Sequence, residues 1–209
     1  MDSNEAGGST MVNERRRGEE LEEAILEAAY EIIHKSGYES MTFQNVAKQA
    51  ETSRTVIYRR YETQVDLLHA LVSYKSRQVI GGDMIDLVRD QGSLRQDLLS
   101  VVEIYQQFFE TISSEVLSAT LLVLSQKNES VREWLRGARN SNMQVMKKVE
   151  GFAKKRGEIQ HDFTTMQMSL PFDFLRVENI IRGGAVTKEY QIQLVDEVLL
   201  PIFSGQAQL

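Results

Sequence analysis

Residues 42–68, TFQNVAKQAETSRTVIYRRYETQVDLL, constrain this chain more than any other stretch. Thr42 is placed to cap a short helix whose inner face uses Phe43, Val46 and Ala47. Ala50 then marks a tight turn, where a small side chain lets two helices approach closely. A second short helix over 53–61 is polar at its leading edge and carries Arg54, Arg59 and Arg60. Glu62 or Thr63 opens a longer third helix, with Val65, Leu67, Leu68, Leu71 and Val72 on its apolar faces. Two short helices around a tight turn, the second exposed and basic, match the width of the DNA major groove.

Upstream, Leu21, Ala24, Ile25, Ala28, Ala29, Ile32 and Ile33 recur at three- and four-residue steps and draw one apolar stripe along a helix from Glu19. Glu19, Glu20, Glu22 and Glu23 load its positive end, Lys35 its negative end, and Gly37 supplies a left-handed stop. Residues 1–18 are rich in Gly, Ser, Asn and charge, which predicts a disordered arm. Arg15, Arg16 and Arg17 close that arm, either touching DNA or forming a solvated basic tail. Downstream, helices are expected over 94–112, 114–125, 130–155, 171–187 and 188–203, with Pro171 in the first turn of its helix. Nothing alternates with period two, so the expected fold class is all-α.

The net charge of −6 runs against a nucleic-acid partner unless it is resolved locally. Over 40–80 there are six basic residues against three acidic ones, a local excess of +3. Salt screens distant charges over roughly 8 Å, so the local field decides what phosphates would meet. The apolar run 116–124 is too short to span a bilayer, no N-terminal h-region is present, and there is no cysteine. A cytoplasmic location without membrane association is the simplest expectation. His34, His69 and His161 are far apart and lack metal-ligand spacing, and no phosphate loop, nucleophile elbow or paired carboxylates occur. No metal, cofactor or catalytic role is therefore expected.

At this point the chain resembles the TetR/AcrR family of one-component bacterial transcription regulators. The residues that carry the resemblance are Gly37–Tyr38, Thr42, Val46–Ala47, Ala50, Ser53, Ile57–Tyr58, Tyr61 and Leu67–Leu68. Two positions depart from the family pattern. Glu51–Thr52 stand where Gly–Val usually precedes the Ser of the turn, and Gln64 stands where a Lys usually contacts phosphate. The second departure implies either weaker backbone anchoring or a compensating contact from Arg60. More loosely, RGEIQHD, LPFDFLRVENIIRG and VDEVLLPIF resemble a C-terminal domain common in the family.

The resemblance implies a homodimer with a three-helix DNA-binding head over 19–66 and a helical body over 67–209 that binds a ligand and dimerises. On residue chemistry, Thr42, Ser53, Arg54, Thr55, Tyr58, Arg59 and Arg60 are the expected DNA contacts on a palindromic operator. Arg can bond two acceptors of guanine at once, while hydroxyls and backbone N–H groups suit phosphate. Ile57 and Tyr61 pack the head instead. Tyr105, Phe109, Trp134 and Met143 are expected to line a cavity for a small apolar or amphipathic ligand, although such residues at helical spacing also serve as plain core. Phe172, Leu175, Ile180, Leu194, Val198 and Ile202 are expected at a dimer interface built from two helices per subunit. The expected function is a ligand-released transcriptional repressor. The rival readings are a regulator without small-molecule input and a helical adaptor acting through protein contacts.

Overall fold

A computed structural model describes residues 7–126, 128–182 and 186–205, with side chains from residue 18 onward. Among the described residues every regular element is helical. In chain order they are α1 (Gly7–Ser36), α2 (Phe43–Gln49), α3 (Arg54–Tyr58), α4 (Gln64–Ile80), α5 (Met84–Leu87), α6 (Leu94–Thr111), α7 (Ser114–Leu124), α8 (Glu129–Lys155), α9 (Thr165–Arg176), α10 (Lys188–Gln193) and α11 (Leu200–Ser204). The chain divides into two compact units. The first runs to Tyr74 and takes in Ser113–Ser130; the second comprises Lys75–Ile112 and the chain from Val131.

In the first unit, α1 buries Ile25, Leu26, Ala28, Ala29 and Ile33. It begins at Gly7 rather than near Glu19, so helix occupies most of the stretch expected to be a disordered arm. Once a helix is nucleated, each added residue gains a hydrogen bond, so extension from a buried segment is inexpensive. Residues 1–6 and the side chains of Arg15, Arg16 and Arg17 lie outside the described residues. Gly37, at φ 78°, ends α1, its N–H bonded to the Ile33 carbonyl at 2.9 Å. The following helices are short and each is started by a hydroxyl. Thr42 accepts the Asn45 N–H at 3.2 Å, and Ser53 accepts the Val56 N–H at 3.3 Å. Thr63 and Asp66 cap each other's backbone N–H groups at the start of α4, at 3.2 and 2.8 Å. Met41, Val46, Ile57, Leu67, Leu68 and Leu71 complete a fully buried core.

Helix α7 belongs to this unit, although the sequence places it in the body. It packs against α1 and the 3₁₀ turn Tyr38–Ser40, with Val116, Ala119 and Val123 buried. The division therefore differs from a single boundary after residue 66: residues 67–74 and α7 stay with the head.

The second unit is built around α6, α8, α9 and the C-terminal helices. Leu98, Val101, Val102, Met146, Val149, Phe172, Leu175, Val195, Leu199 and Phe203 form its interior. Helix α9 starts six residues before Pro171, where Thr164 and Gln167 form a reciprocal capping box. Pro171 thus lies buried inside the helix, not in its first turn; the hydroxyl–amide pair is the stronger start signal here. Helix α9 continues into a π-helical run, Val177–Arg182, and a second such run, Leu194–Leu199, joins α10 to α11. Polar links span long stretches of sequence. Gln106 and Asn179 exchange hydrogen bonds at 3.1 and 2.8 Å, Arg95 grips Asp196 with two at 2.6 and 2.8 Å, and Arg156 meets Asp97 at 2.6 Å, Glu158 at 2.8 Å, and Asp90.

The expected dimer residues need correction. Phe172 and Leu175 are completely buried within their own subunit and Leu194 almost so, which leaves them no surface for a partner. Ile180, Val198 and Ile202 are partly buried. The period of the stripe was legible; which side of it faces outward was not, because both sides of α9 are apolar. Its exposed side carries Met166, Phe174, Val177 and Ile181.

Candidate nucleic-acid interface

Helix α3 has only five residues, too few to persist unaided, so its geometry depends on what holds it. Ser53 fixes its first turn, and Ile57 anchors its inner side with no exposed surface. The turn before it is closed by the Thr52 N–H bonding the Ala47 carbonyl at 2.9 Å. Glu51 makes that possible by adopting φ 51°, the left-handed conformation that Gly takes at little cost. The departure from Gly at this position therefore leaves the turn intact and stores strain in it.

With Ile57 turned inward, Ser53, Arg54, Thr55, Tyr58, Arg59 and Arg60 are all exposed on this unit, and Thr42 is half-exposed at the start of α2. The structure brings the seven residues expected to contact DNA onto one small head. Tyr61, next in sequence, is buried, and burial together with the Glu22 carboxylate pushes its hydroxyl up to about 12. It is core, as its apolar spacing implied.

Tyr58 is the pivot of the face. It is 55% exposed, yet one side of its ring packs edge-on against Phe43, with centroids 4.9 Å apart and planes at 82°. The Arg54 guanidinium lies over the ring at 5.8 Å, and Arg54 Nη2 donates to Tyr58 Oη at 3.4 Å. Thr42, Phe43, Gln44, Arg54, Tyr58, Glu62, Thr63 and Gln64 line an open groove of about 400 Å³. Hydroxyls, an arginine and a helix N-terminus along one groove offer what a phosphate needs.

Two groove residues, Gln44 and Glu62, were not expected at the interface from sequence. Gln44 is exposed on the first turn of α2, and its position there was the only available signal. Glu62 places a carboxylate in the groove, which opposes phosphate. Gln64, at the position of the expected lysine, donates from Nε2 to the Met41 carbonyl at 3.2 Å and so ties α4 to the approach of α2. Its amide braces the scaffold rather than reaching outward.

The expected ligand residues lie in the second unit. Tyr105 packs edge-on against Phe109 at 5.4 Å and Phe172 at 5.0 Å, and burial raises its hydroxyl pKa. Met143 packs against the same core. Trp134, 8% exposed, sits nine residues before Met143 on α8, about 13 Å along the axis. The structure brings Tyr105, Phe109 and Met143 to one interior but not Trp134. Among the described residues no group of three or more acidic or histidine side chains is arranged for a metal ion, and no helix is long and apolar enough to cross a membrane.

Comparison with known proteins agrees with this architecture. Residues 25–71 match the family model for bacterial regulatory proteins of the tetR family, and residues 88–198 match that for the tetracyclin repressor-like C-terminal domain. The chain is 24% identical over 193 residues to the DNA-binding transcriptional repressor TetR of Mycobacteroides abscessus, covering 92% of this chain and 98% of that protein. Its fold is similar to the crystal structure of the transcriptional regulator FadR from Bacillus subtilis in complex with stearoyl-CoA. That match has 22% identity and a TM-score of 0.58, covering 87% of this chain and 97% of that one. It is similar too to AibR in complex with isovaleryl coenzyme A and operator DNA, at 17% identity and a TM-score of 0.54, over 88% and 98% of the two chains.

Proposed function

The chain belongs to the TetR family of bacterial regulatory proteins, and from that premise we propose that it is a homodimeric transcriptional repressor, released from a palindromic operator by a small amphipathic ligand. The observation that carries this reading is the joint exposure of Ser53, Arg54, Thr55, Tyr58, Arg59 and Arg60 on a head whose own core is closed beneath them. Residues 53–60 of each subunit enter a major groove, Arg54 and Thr55 at base edges, Tyr58 and Thr42 at phosphate. Arg59 and Arg60 supply positive charge without the lysine that Gln64 replaces. No feature of the site supports catalysis, and the family is one of regulators.

For the dimer we assign the outward side of α9 and its π-helical extension, with Met166, Phe174, Val177 and Ile181 at steps that keep one face. For the ligand, the two similar structures hold acyl-CoA molecules, and the apolar interior around Tyr105, Phe109 and Met143 suits an acyl chain better than a sugar or ion. Helix α4 passes through the point where the two units divide, so displacement of its body end changes the spacing of the paired heads.

The test is an operator titration. DNA flanking the chain's own gene is mixed with purified protein, and bound complexes are challenged with acyl-CoA compounds of increasing chain length. Retarded DNA released by one chain-length class is expected. Failure to retard any flanking DNA at low salt removes the regulator reading in favour of an adaptor, and release by no compound that binds removes the coupling.

A further inference from the structure

Three side chains on the head form a stack that the DNA-contact assignment alone does not explain. Phe43, mostly buried on α2, supports Tyr58, and Tyr58 in turn carries the guanidinium of Arg54. An exposed arginine ordinarily samples many rotamers, and only the fraction correctly aimed contributes to binding. Here the guanidinium carbon lies over an aromatic ring, 5.8 Å from its centroid, and one donor is bonded to that ring's hydroxyl; the ring is itself held from behind. These contacts engage one of the guanidinium's five N–H donors, the one turned to Tyr58 Oη, and leave enough of the others to meet two acceptors.

We propose that Tyr58 is a positioning residue for base recognition: it holds Arg54 in the orientation that reads a guanine, in addition to any contact of its own with phosphate. The proposal rests on Arg54 touching a base. It assigns the ring and the hydroxyl of one side chain to separable tasks. The ring governs selectivity through Arg54, whereas the hydroxyl governs affinity irrespective of sequence.

The experiment uses the full-length protein and a duplex operator obtained by selection from random DNA. Single base-pair swaps are measured by fluorescence anisotropy for the unaltered protein and for Arg54→Ala, and the position where discrimination disappears in Arg54→Ala is the Arg54-dependent pair. Discrimination at that pair is then measured for Tyr58→Phe and Tyr58→Leu. Tyr58→Phe is expected to weaken all sequences alike and keep discrimination within about two-fold. Tyr58→Leu is expected to reduce discrimination at that pair by about three- to five-fold, with the other positions unchanged. Thermal unfolding midpoints that match the unaltered protein show that the head is folded, as the exposure of Tyr58 leads one to expect. If Tyr58→Leu discriminates as well as Tyr58→Phe, the stack plays no part in recognition. If both variants weaken every sequence equally, Tyr58 is a phosphate contact only. If Arg54→Ala discriminates normally at every pair, the base-contact assignment itself fails and the positioning role falls with it.

Discussion

The head and the body of this chain hold their shapes by different means. In the head, α2, α3 and α4 are each started by a side chain bonded three residues away: Thr42 with Asn45, Ser53 with Val56, Thr63 with Asp66. The body starts α6, α9 and α10 with the same kind of cap, at Ser93, Thr164 and Thr187, and adds polar links between residues far apart in sequence. Arg95 and Asp196 are 101 residues apart, Gln106 and Asn179 73, and Asp97 and Arg156 59. The two also use aromatic rings in opposite ways. Tyr105 and Phe172 interlock inside the body, while Tyr58 stands on the head's surface with a cation on its face. Local caps fix where the helices of the exposed face begin, and in the body long-range bonds add ties between segments distant in sequence.

If that contrast is sound, the largest effect comes from the body. Asp97 has no exposed side chain and is paired with Arg156. Asp97→Ala leaves a partly buried guanidinium short of a partner and is expected to cost about 3 kcal/mol or more in urea unfolding. A loss below about 1 kcal/mol would show the body tolerant of a broken long-range link. In the head, Ser53→Ala removes a local cap and is expected to cost about 1 kcal/mol, read as faster hydrogen exchange of the α3 amides, with weaker operator binding. Unchanged exchange there would mean that α3 is held by Ile57 alone. Glu51→Gly sharpens the comparison from the other side. It relieves a left-handed backbone and is expected to stabilise by up to about 1 kcal/mol, since added freedom in the unfolded chain offsets part of the gain. A lowered thermal midpoint would show that the turn carries no strain.

The smallest effect is a pH dependence. Burial holds His69, on α4, below its ordinary pKa, with Asp66 opposing that shift in part. The unfolded chain therefore takes up a proton that the folded one resists. Stability is complete above about pH 6.5 and erodes as pH falls below it. His69→Gln should flatten that slope between pH 7 and 5.5, and an unaltered slope would trace it to other groups.

The same contrast explains what could be read from sequence. The Thr42 cap, the Gly37 stop, the turn and the exposed arginines were legible because each depends on residues within a few positions. Glu51 was recognisable as a departure but not as a strained replica of the usual glycine, since a side chain's identity does not reveal its φ. Gln64 was noted as a missing cation, while its bond to Met41 lies 23 residues away and has no sequence signature. In the body the apolar stripe of α9 was plain. Its inward side, Phe172 and Leu175, was mistaken for a partner surface because both sides are apolar and only packing decides which one is covered. Thr164 and Gln167 carry the local start signal of α9, and Pro171, which also suits a first turn, lies six residues further in.

The membership of α7 in the head bears on any attempt to build chimaeras. A graft cut after Tyr74 would carry a bare seam where Val116, Ala119 and Val123 had been seated, and would be prone to stick to whatever hydrophobic surface came near. A recombinant that keeps the foreign sensor yet restores residues 113–130 preserves the seam, so exchange of specificity between relatives requires three junctions, after residues 74, 112 and 130, rather than one.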